Sequence, residues 1–256
     1  MGRFDLFKEK QEKSSADFQL VGNGRWMKND EEMLAFNKEE ADQAFKVCKR
    51  EILDVYLKEN GFIKYKTNAY IRLSKNDLLE YINIQKEAHG SRTFTLNIAA
   101  IPFYVPHDYI TLGFGNRLGC FVKNRDFWWD YQNETIAKES FENVVAALEQ
   151  YVMPWFHKYE DENVFLDTLI HDMYMYGFKF YYLEWIAYMF IKRNDIQGGL
   201  TYLNDIKIDD SRMTDFIKKA LDILHQVKDS KTCINEVKEH NIIKLKLPKS
   251  MFTTKK

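Results

Sequence analysis

The sequence predicts an α+β fold: an antiparallel sheet of about four strands packed by helices, followed by an all-helical C-terminal subdomain. Three observations carry that expectation. Apolar residues repeat at helical spacing up to Glu59. They switch to strict alternation between Asn68 and Val122. Helical spacing then returns from Phe141 to Val227.

The first 36 residues are polar and mixed, and read as an arm lying loosely on the body. Asn37 and Glu40 have the spacing of a capping box, in which each side chain bonds a free helix-terminal amide. Ala41, Phe45, Cys48, Ile52 and Tyr56 follow at helical intervals, and Gly61 supplies a stop. A helix over 38–59 is therefore expected.

Three strands come next, at Asn68–Leu73, Leu79–Lys86 and Thr93–Ile101, separated by turn-rich clusters. A fourth is expected at Arg117–Val122. The intervening Pro102–Asn116 segment carries prolines and glycines and reads as a loop. Phe141, Val144, Val145, Leu148, Tyr151, Val152 and Trp155 define another helix, which Pro154 should kink for want of an amide. Glu162–Tyr176, the densely apolar Phe178–Ile191, Ile196–Leu203 and Met213–Val227 extend the helical part. Its Ala187, Tyr188 and Asn194-Asp195 turn resemble one tetratricopeptide unit, but a solenoid needs about three. A packed appendage is expected. A structural module built on these helices would instead expose a contiguous apolar patch. The segment Asn241–Lys256 has lysines and no acid, and Ile243–Leu247 alternates, so a lysine-guarded edge strand is expected. The division is thus a 1–36 arm, a 37–160 α+β domain, a 161–229 helical subdomain and a 230–256 basic tail.

Composition limits function. The 37 Lys+Arg and 38 Asp+Glu leave a net charge of -1, which argues against nucleic acid as a partner. A 45% hydrophobic fraction excludes wholesale disorder. Three cysteines at 48, 120 and 233 form neither a disulfide framework nor a zinc pattern. With no signal-like N-terminus and no bilayer-length apolar run, no membrane association and a cytoplasmic location are expected.

Chemistry-bearing motifs are sparse. Gly113–Gly119 is glycine-rich, but a strand-like segment follows where a phosphate loop needs a helix. The histidines, including His157 and His171, lack metal-type spacing. Ser91 and Ser140 lack a nucleophile-elbow context, and no carboxylate pair stands out. No catalytic residue, no metal ligand and no cofactor are assigned, and nothing commits the chain to an enzyme.

The strand pair is more informative. Ile82 and Ile84 share one face, opposite Tyr81, Asn83 and Gln85; Phe94, Leu96 and Ile98 share one face, opposite Thr93, Thr95 and Asn97. In a hairpin the apolar sides join under helices and the polar sides join as a patch of amides and hydroxyls. Arg117 and the Phe127-Trp128-Trp129 cluster border it. The binding candidates are Arg72, Tyr81, Asn83, Gln85, Asn97, Arg117 and Trp129.

Taken in order, Gly61-Phe62, Ile82-Asn83-Ile84-Gln85-Lys86, Phe94-Thr95-Leu96-Asn97-Ile98, Arg117-Leu118-Gly119, Trp128-Trp129 and Met153-Pro154-Trp155-Phe156 resemble the bacterial family of domain of unknown function 4304, over about residues 40–160. Its pattern runs close to GF, NFQ, F-x-x-N-L, R-I-G, WW and ALPFL. Ile84 departs from it, where an aromatic is expected, and Met153-Pro154-Trp155 is a looser version of its proline helix end. The resemblance implies recurrent polar positions at Asn83, Gln85, Asn97 and Arg117, with Trp129 beside them, and no reaction. The expected function is a non-enzymatic protein that binds a protein partner through the polar sheet face, an immunity-type protein being one form. The alternative is a sensor or enzyme holding a small anion around Arg117.

Overall fold

The computed structural model describes residues 18–21, 25–28, 38–88, 90–176, 179–206, 212–248 and 251–252. Strands β1 (Phe18–Val21) and β2 (Arg25–Lys28) pair antiparallel as a two-stranded sheet. The rest of the expected arm and the expected capping residue Asn37 lie outside the described residues.

The first long helix runs over 38–59, as the spacing predicts, but in three pieces. Helix α1 (Lys38–Cys48) leads into a π-turn at Lys49–Leu53 and then α2 (Asp54–Glu59). At the π-turn the Asp54 amide donates to the Lys49 carbonyl, five residues back. In an α-helix, residues five apart are about 140° apart around the axis. The wider turn brings them together, so Lys49 Nζ reaches Asp54 Oδ1 at 2.9 Å. The Tyr70 hydroxyl also donates to Asp54. Burial lowers the Lys49 pKa and raises that of Tyr70. Gly61, at φ +81°, ends the helix as expected.

The main sheet has strands β3 (Ile63–Lys66), β4 (Ala69–Leu73), β5 (Leu78–Lys86), β6 (Thr93–Pro102) and β7 (Gly115–Arg117) in that order, and β8 (Trp129–Asp130) also pairs with β6. All these pairings are antiparallel. The sheet thus exceeds the four strands expected. Strand β3 escaped detection because Lys64 and Lys66 leave it little apolar signal, and β8 is only two residues long.

The expected fourth strand, Arg117–Val122, is a correction. Only β7 is extended there, and Leu118–Lys123 is helix α3. Gly119 lies so close to Phe127 that an added Cβ would stand 2.4 Å from its amide nitrogen. Leu118, Phe121 and Val122 point into the main core, so apolar content alone did not distinguish strand from short helix.

Helix α4 (Glu134–Ala147) begins seven residues before Phe141, at the Asn133 cap, whose side chain accepts from the Ile136 amide. A second π-turn, Leu148–Val152, joins it to α5 (Met153–Lys158). Met153 donates to the Leu148 carbonyl, and Pro154, with no amide to give, follows directly. Helices α6 (Glu162–Tyr176), α7 (Tyr182–Lys192), α8 (Ile196–Asp205) and α9 (Met213–Gln226) follow. Helix α7 buries Tyr182, Trp185, Ile186, Met189 and Phe190 internally, against the idea of an exposed apolar module there.

The last helix, α10 (Ser230–Lys244), corrects the expected edge strand. Asp229 caps it by accepting from the Thr232 amide. Fully buried Asn241 fixes it to the 103–107 loop: Nδ2 donates to the Phe103 and Val105 carbonyls at 2.9 and 2.7 Å, and Oδ1 accepts from the His107 amide at 2.7 Å. Lysines at 244 and 246 mimic an alternating strand, but Leu245 and Leu247 are buried at the end of a helix.

The β5–β6 register decides which residues face where. Ile82 opposes Ile98 and Ile84 opposes Leu96, and with Phe94, which meets Phe45 of α1 and Phe141 of α4, they belong to the main core. The Phe94 ring stacks on Phe141 at 4.7 Å. On the other face, Ile71, Leu79, Ala99 and Ile101 form a second core, covered by Leu245 and Leu247. A part-buried clamp, Arg72 Nε to buried Glu80 Oε2 at 2.5 Å, pins β4 to β5 on the main-core side.

Two outcomes are expected in urea unfolding. Leu245→Ala and Leu247→Ala each cost about 2–5 kcal/mol, because each uncovers buried sheet. Glu80→Ala costs about 1–3 kcal/mol by removing the buried partner of Arg72, which keeps the Asn60 carbonyl, and Arg72→Met/Glu80→Leu recovers most of it.

Candidate functional site

The second face of the sheet divides along its strands. Its β4-side half is apolar and covered. Its other half carries the polar residues that alternation predicts. Asn83 lies directly opposite Asn97, and Asn97 directly opposite Arg117, so one row crosses β5, β6 and β7. Gln85 lies two residues along, opposite Thr95. With Leu112, Gly115, Asn116, Cys120 and Asp126, residues Gln85, Asn97 and Arg117 line a cleft of about 430 Å³.

The row is hydrogen-bonded with a definite polarity. Asn83 Nδ2 donates to the Asn68 carbonyl at 3.2 Å. A carbonyl only accepts, so the Asn83 amide must turn its oxygen toward Asn97. Asn97 Nδ2 then donates to Asn83 Oδ1 at 3.4 Å and to Gln85 Oε1 at 3.0 Å. Asn97 Oδ1 is left buried with no hydrogen-bond partner among the described residues. An unpaired buried acceptor costs roughly 1–3 kcal/mol and calls for a reason.

Arg117 does not offer a free charge. Its Nη1 pairs with Asp126, whose carboxylate also accepts from Trp128 Nε1 at 3.1 Å. The guanidinium lies 5.2 Å from the Trp128 ring. The half-buried Cys120 thiol is pushed up by burial, then by Asp126. It stays protonated near neutrality and is a weak nucleophile.

Two neighbouring features shape the cleft. Gly115, at φ +153°, lies so close to β6 that an added Cβ would stand 2.0 Å from the Ile98 carbonyl oxygen. The preceding loop is tied to α7 and the residue before it: the Tyr181 and Tyr182 hydroxyls both donate to the Gly113 carbonyl, at 3.2 and 2.7 Å. The helical region therefore holds one rim. Thr95, fully buried, donates to the Phe127 carbonyl at 3.2 Å and closes the other end.

Of the seven predicted site residues, the structure brings Asn83, Gln85, Asn97 and Arg117 together. Tyr81 shares their face but packs beside the second core, at the seam between the two halves. Arg72 and Trp129 do not join them. Arg72 opposes Glu80 on the main-core face, with its guanidinium 4.5 Å from the Phe62 ring. Trp129 opposes Phe94, also on that face, and meets Phe127 edge-on at 4.8 Å. Both placements follow from two-residue alternation once the register is set. Sequence reasoning missed Asn68, whose contribution is a backbone carbonyl, and Asp126, whose role depends on the turn after α3.

Asp130 was also missed. It opposes Thr93 at the far end of the polar face and is half-buried. Burial lifts its carboxyl from 3.8 to about 7, with a Gln132 hydrogen bond opposing the rise. Among the described residues, no group of three or more His, Cys, Asp or Glu side chains could hold a metal ion. No helix among them is long and apolar enough to cross a membrane.

The fold and cleft thus define an α+β domain with one open, amide-lined half-face. Residues 53–158 of it match the family model described as domain of unknown function (DUF4304), the family its ordered motifs resemble. That span contains every residue lining the cleft and ends before α6. No curated protein and no solved structure matches the chain.

The raised Asp130 carboxyl predicts a pH dependence. Between pH 4 and 7 the folded chain holds a proton there that the unfolded chain has lost, so stability falls as pH rises through that window. Asp130→Asn should flatten this slope and raise the melting temperature at pH 8 relative to wild type, while changing it little at pH 4. Melting curves across pH 4–8 check this, and an unchanged slope would refute it.

Proposed function

We propose that this protein is a cytoplasmic, bacterial binding protein that holds a protein partner in the amide-lined cleft and catalyses no reaction. The observation that carries this reading is the convergence of Asn83, Gln85, Asn97 and Arg117 on an open half-face, with the Asn97 acceptor unpaired among the described residues. Side-chain amides present donors and acceptors without charge, which suits reading a polar surface. Around them lie Leu112, exposed, and Trp128 and Arg117, partly exposed. Tryptophan and arginine are residue types enriched where interfaces concentrate their binding energy. The protonated Cys120 and the paired Arg117 give acid–base or nucleophilic chemistry little to work with. An immunity-type protein that neutralises a toxin is one concrete form of such a binder, by analogy with other small α+β proteins.

A second reading is a sensor of a small anionic ligand. The cleft volume of about 430 Å³ favours it, since small-molecule sites span about 300–1,000 Å³. Asp126 counts against it by neutralising Arg117.

The test is affinity capture from the native host with wild type and a folded Gln85→Ala/Arg117→Ala variant, followed by calorimetry with each purified partner. The account predicts a protein partner whose affinity falls at least tenfold in the variant. A co-purifying small anion lost in the variant would favour the second reading. Equal affinities for wild type and variant would remove the cleft from either role.

A further inference from the structure

The turn between β4 and β5 buries an asparagine where turns ordinarily show one to solvent. Asn76 is only 8% exposed. The turn is fixed around it: the Ser74 hydroxyl accepts from the Asn76 and Leu78 amides, and the Asp77 carbonyl accepts from the Phe103 amide. Against the Asn76 side chain lies a lysine from the helical region. Lys192, the last residue of α7, donates to Asn76 Oδ1 at 2.7 Å and to the Asn76 carbonyl at 3.1 Å. A C=O bond adds about 1.2 Å, so the Asn76 side-chain carbon stands within about 3.9 Å of Nζ. Glu162, the first residue of α6, accepts from the same Nζ through Oε1. Fully buried Tyr104 lies beside them, its ring centroid 5.2 Å from Nζ.

An amine, a side-chain amide and a carboxylate thus meet in one place, with the Lys192 and Glu162 side chains only 18% and 22% exposed. These are the parts that acyl transfer onto a lysine needs: a nucleophile, an electrophile and a proton acceptor. Neighbouring charges are accounted for. Asp77, 3.9 Å from Nζ, has its own cation in Lys238 at 2.9 Å. Arg193 Nε holds the other Glu162 oxygen at 2.8 Å. Burial raises the Glu162 carboxyl, but the Lys192 and Arg193 contacts outweigh it and leave the carboxyl lowered. Glu162 is therefore ionised at neutrality and free to accept a proton. Its weak basicity makes that transfer slow, which a reaction of one turnover tolerates.

We propose that Lys192 and Asn76 join in a self-formed isopeptide bond, with Glu162 as the base. Glu162 takes a proton from the Lys192 ammonium. The freed lone pair forms the Nζ–Cγ bond, the Cγ–Nδ2 bond breaks, and Nδ2 departs with both protons that Nζ gives up, as ammonium. Glu162 ends ionised, as it began, and nothing is oxidised or reduced. A cleft lined by Asp77, Lys192 and Lys238 lets the ammonium leave. The fold holds all the reacting groups, so the step is intramolecular and gains the high effective concentration of positioned reactants. The chain acts once on itself and turns over no outside substrate. The bond ties α7 to the β4–β5 turn across 116 residues of chain. The same helix carries Tyr182, whose hydroxyl holds the Gly113 rim of the amide-lined cleft, so the link fixes that rim as well.

Mass spectrometry of the purified full chain, kept for a week at pH 8, tests this. The expected intact mass is below the sequence mass by one ammonia, and a digest yields two peptides joined through Asn76 and Lys192. Lys192→Arg, checked for fold by circular dichroism, should keep its sequence mass and give no joined pair. Glu162→Gln should join at least tenfold more slowly, since a positioned base is worth about a hundredfold or more. A wild-type mass unchanged after the week overturns the proposal. So does an ammonia loss that maps to an unlinked peptide or persists in Lys192→Arg, because an asparagine closing on its own backbone gives the same mass. A joined pair that forms at the wild-type rate in Glu162→Gln overturns the assignment of Glu162 as the base. The wild-type linkage is read directly, so the test decides even where a variant fails to fold.

Discussion

The pairing of β5 with β6, nine residues in unbroken antiparallel register, is the constraint on which the structure depends. A strand's side chains alternate with period two, so a slip of one residue would exchange the two faces completely. The observed register puts Ile82, Ile84, Phe94, Leu96 and Ile98 beneath the helices. The same register lines up Asn83 with Asn97 on the opposite side. Burying the first set is the main stabilising term. The polar row is the unavoidable counterpart of that burial, and its position is as firmly set as the core.

The opposite face is managed in two different ways. Its apolar half is covered by the chain beyond α10, with Tyr65 donating to the Leu245 carbonyl and Phe103 stacked on Phe252 at 5.6 Å. Its polar half is left open. A single sheet face therefore contains both a second core and a cleft, with Tyr81 at the seam. The helical region is tied to the sheet by charge as well as packing. Lys192 on α7 pairs with Glu162 on α6 and donates to the Asn76 carbonyl and side chain in the β4–β5 turn, while Lys238 on α10 pairs with Asp77 there. These partly buried contacts, with the two tyrosines on Gly113, let a segment beyond the family match shape a cleft lying within it.

Strong period signals in the sequence identified the elements that matter most. The β5 and β6 ranges are each within one residue of the alternating runs, and the amide row follows from their alternation. Short elements were not legible. Strand β3 hides behind its lysines, α3 is too short for a helical period to emerge, and the α10 end mimics a strand because Leu245 and Leu247 are two apart. The first π-turn was not legible, since Ile52 keeps a four-residue spacing between Cys48 and Tyr56 while buried Leu53 lies five residues from Cys48. Half of the site needed three dimensions. Arg72 and Trp129 lie near the row in sequence terms and on the wrong face in space. Asn68 acts through its backbone and Asp126 through a turn, and neither leaves a side-chain pattern to read.

The central claim is that the Asn68 carbonyl fixes the direction of the whole amide row. Hydrogen exchange of the side-chain NH₂ groups, measured by NMR on the unliganded chain, tests it most directly. The account predicts slow exchange at Asn83 and Asn97, whose amino groups donate within the row, and fast exchange at Gln85, whose amino group lies outside it. A protected Gln85 NH₂ beside a fast-exchanging Asn97 would mean that the row runs the other way, and the account of the cleft would be wrong.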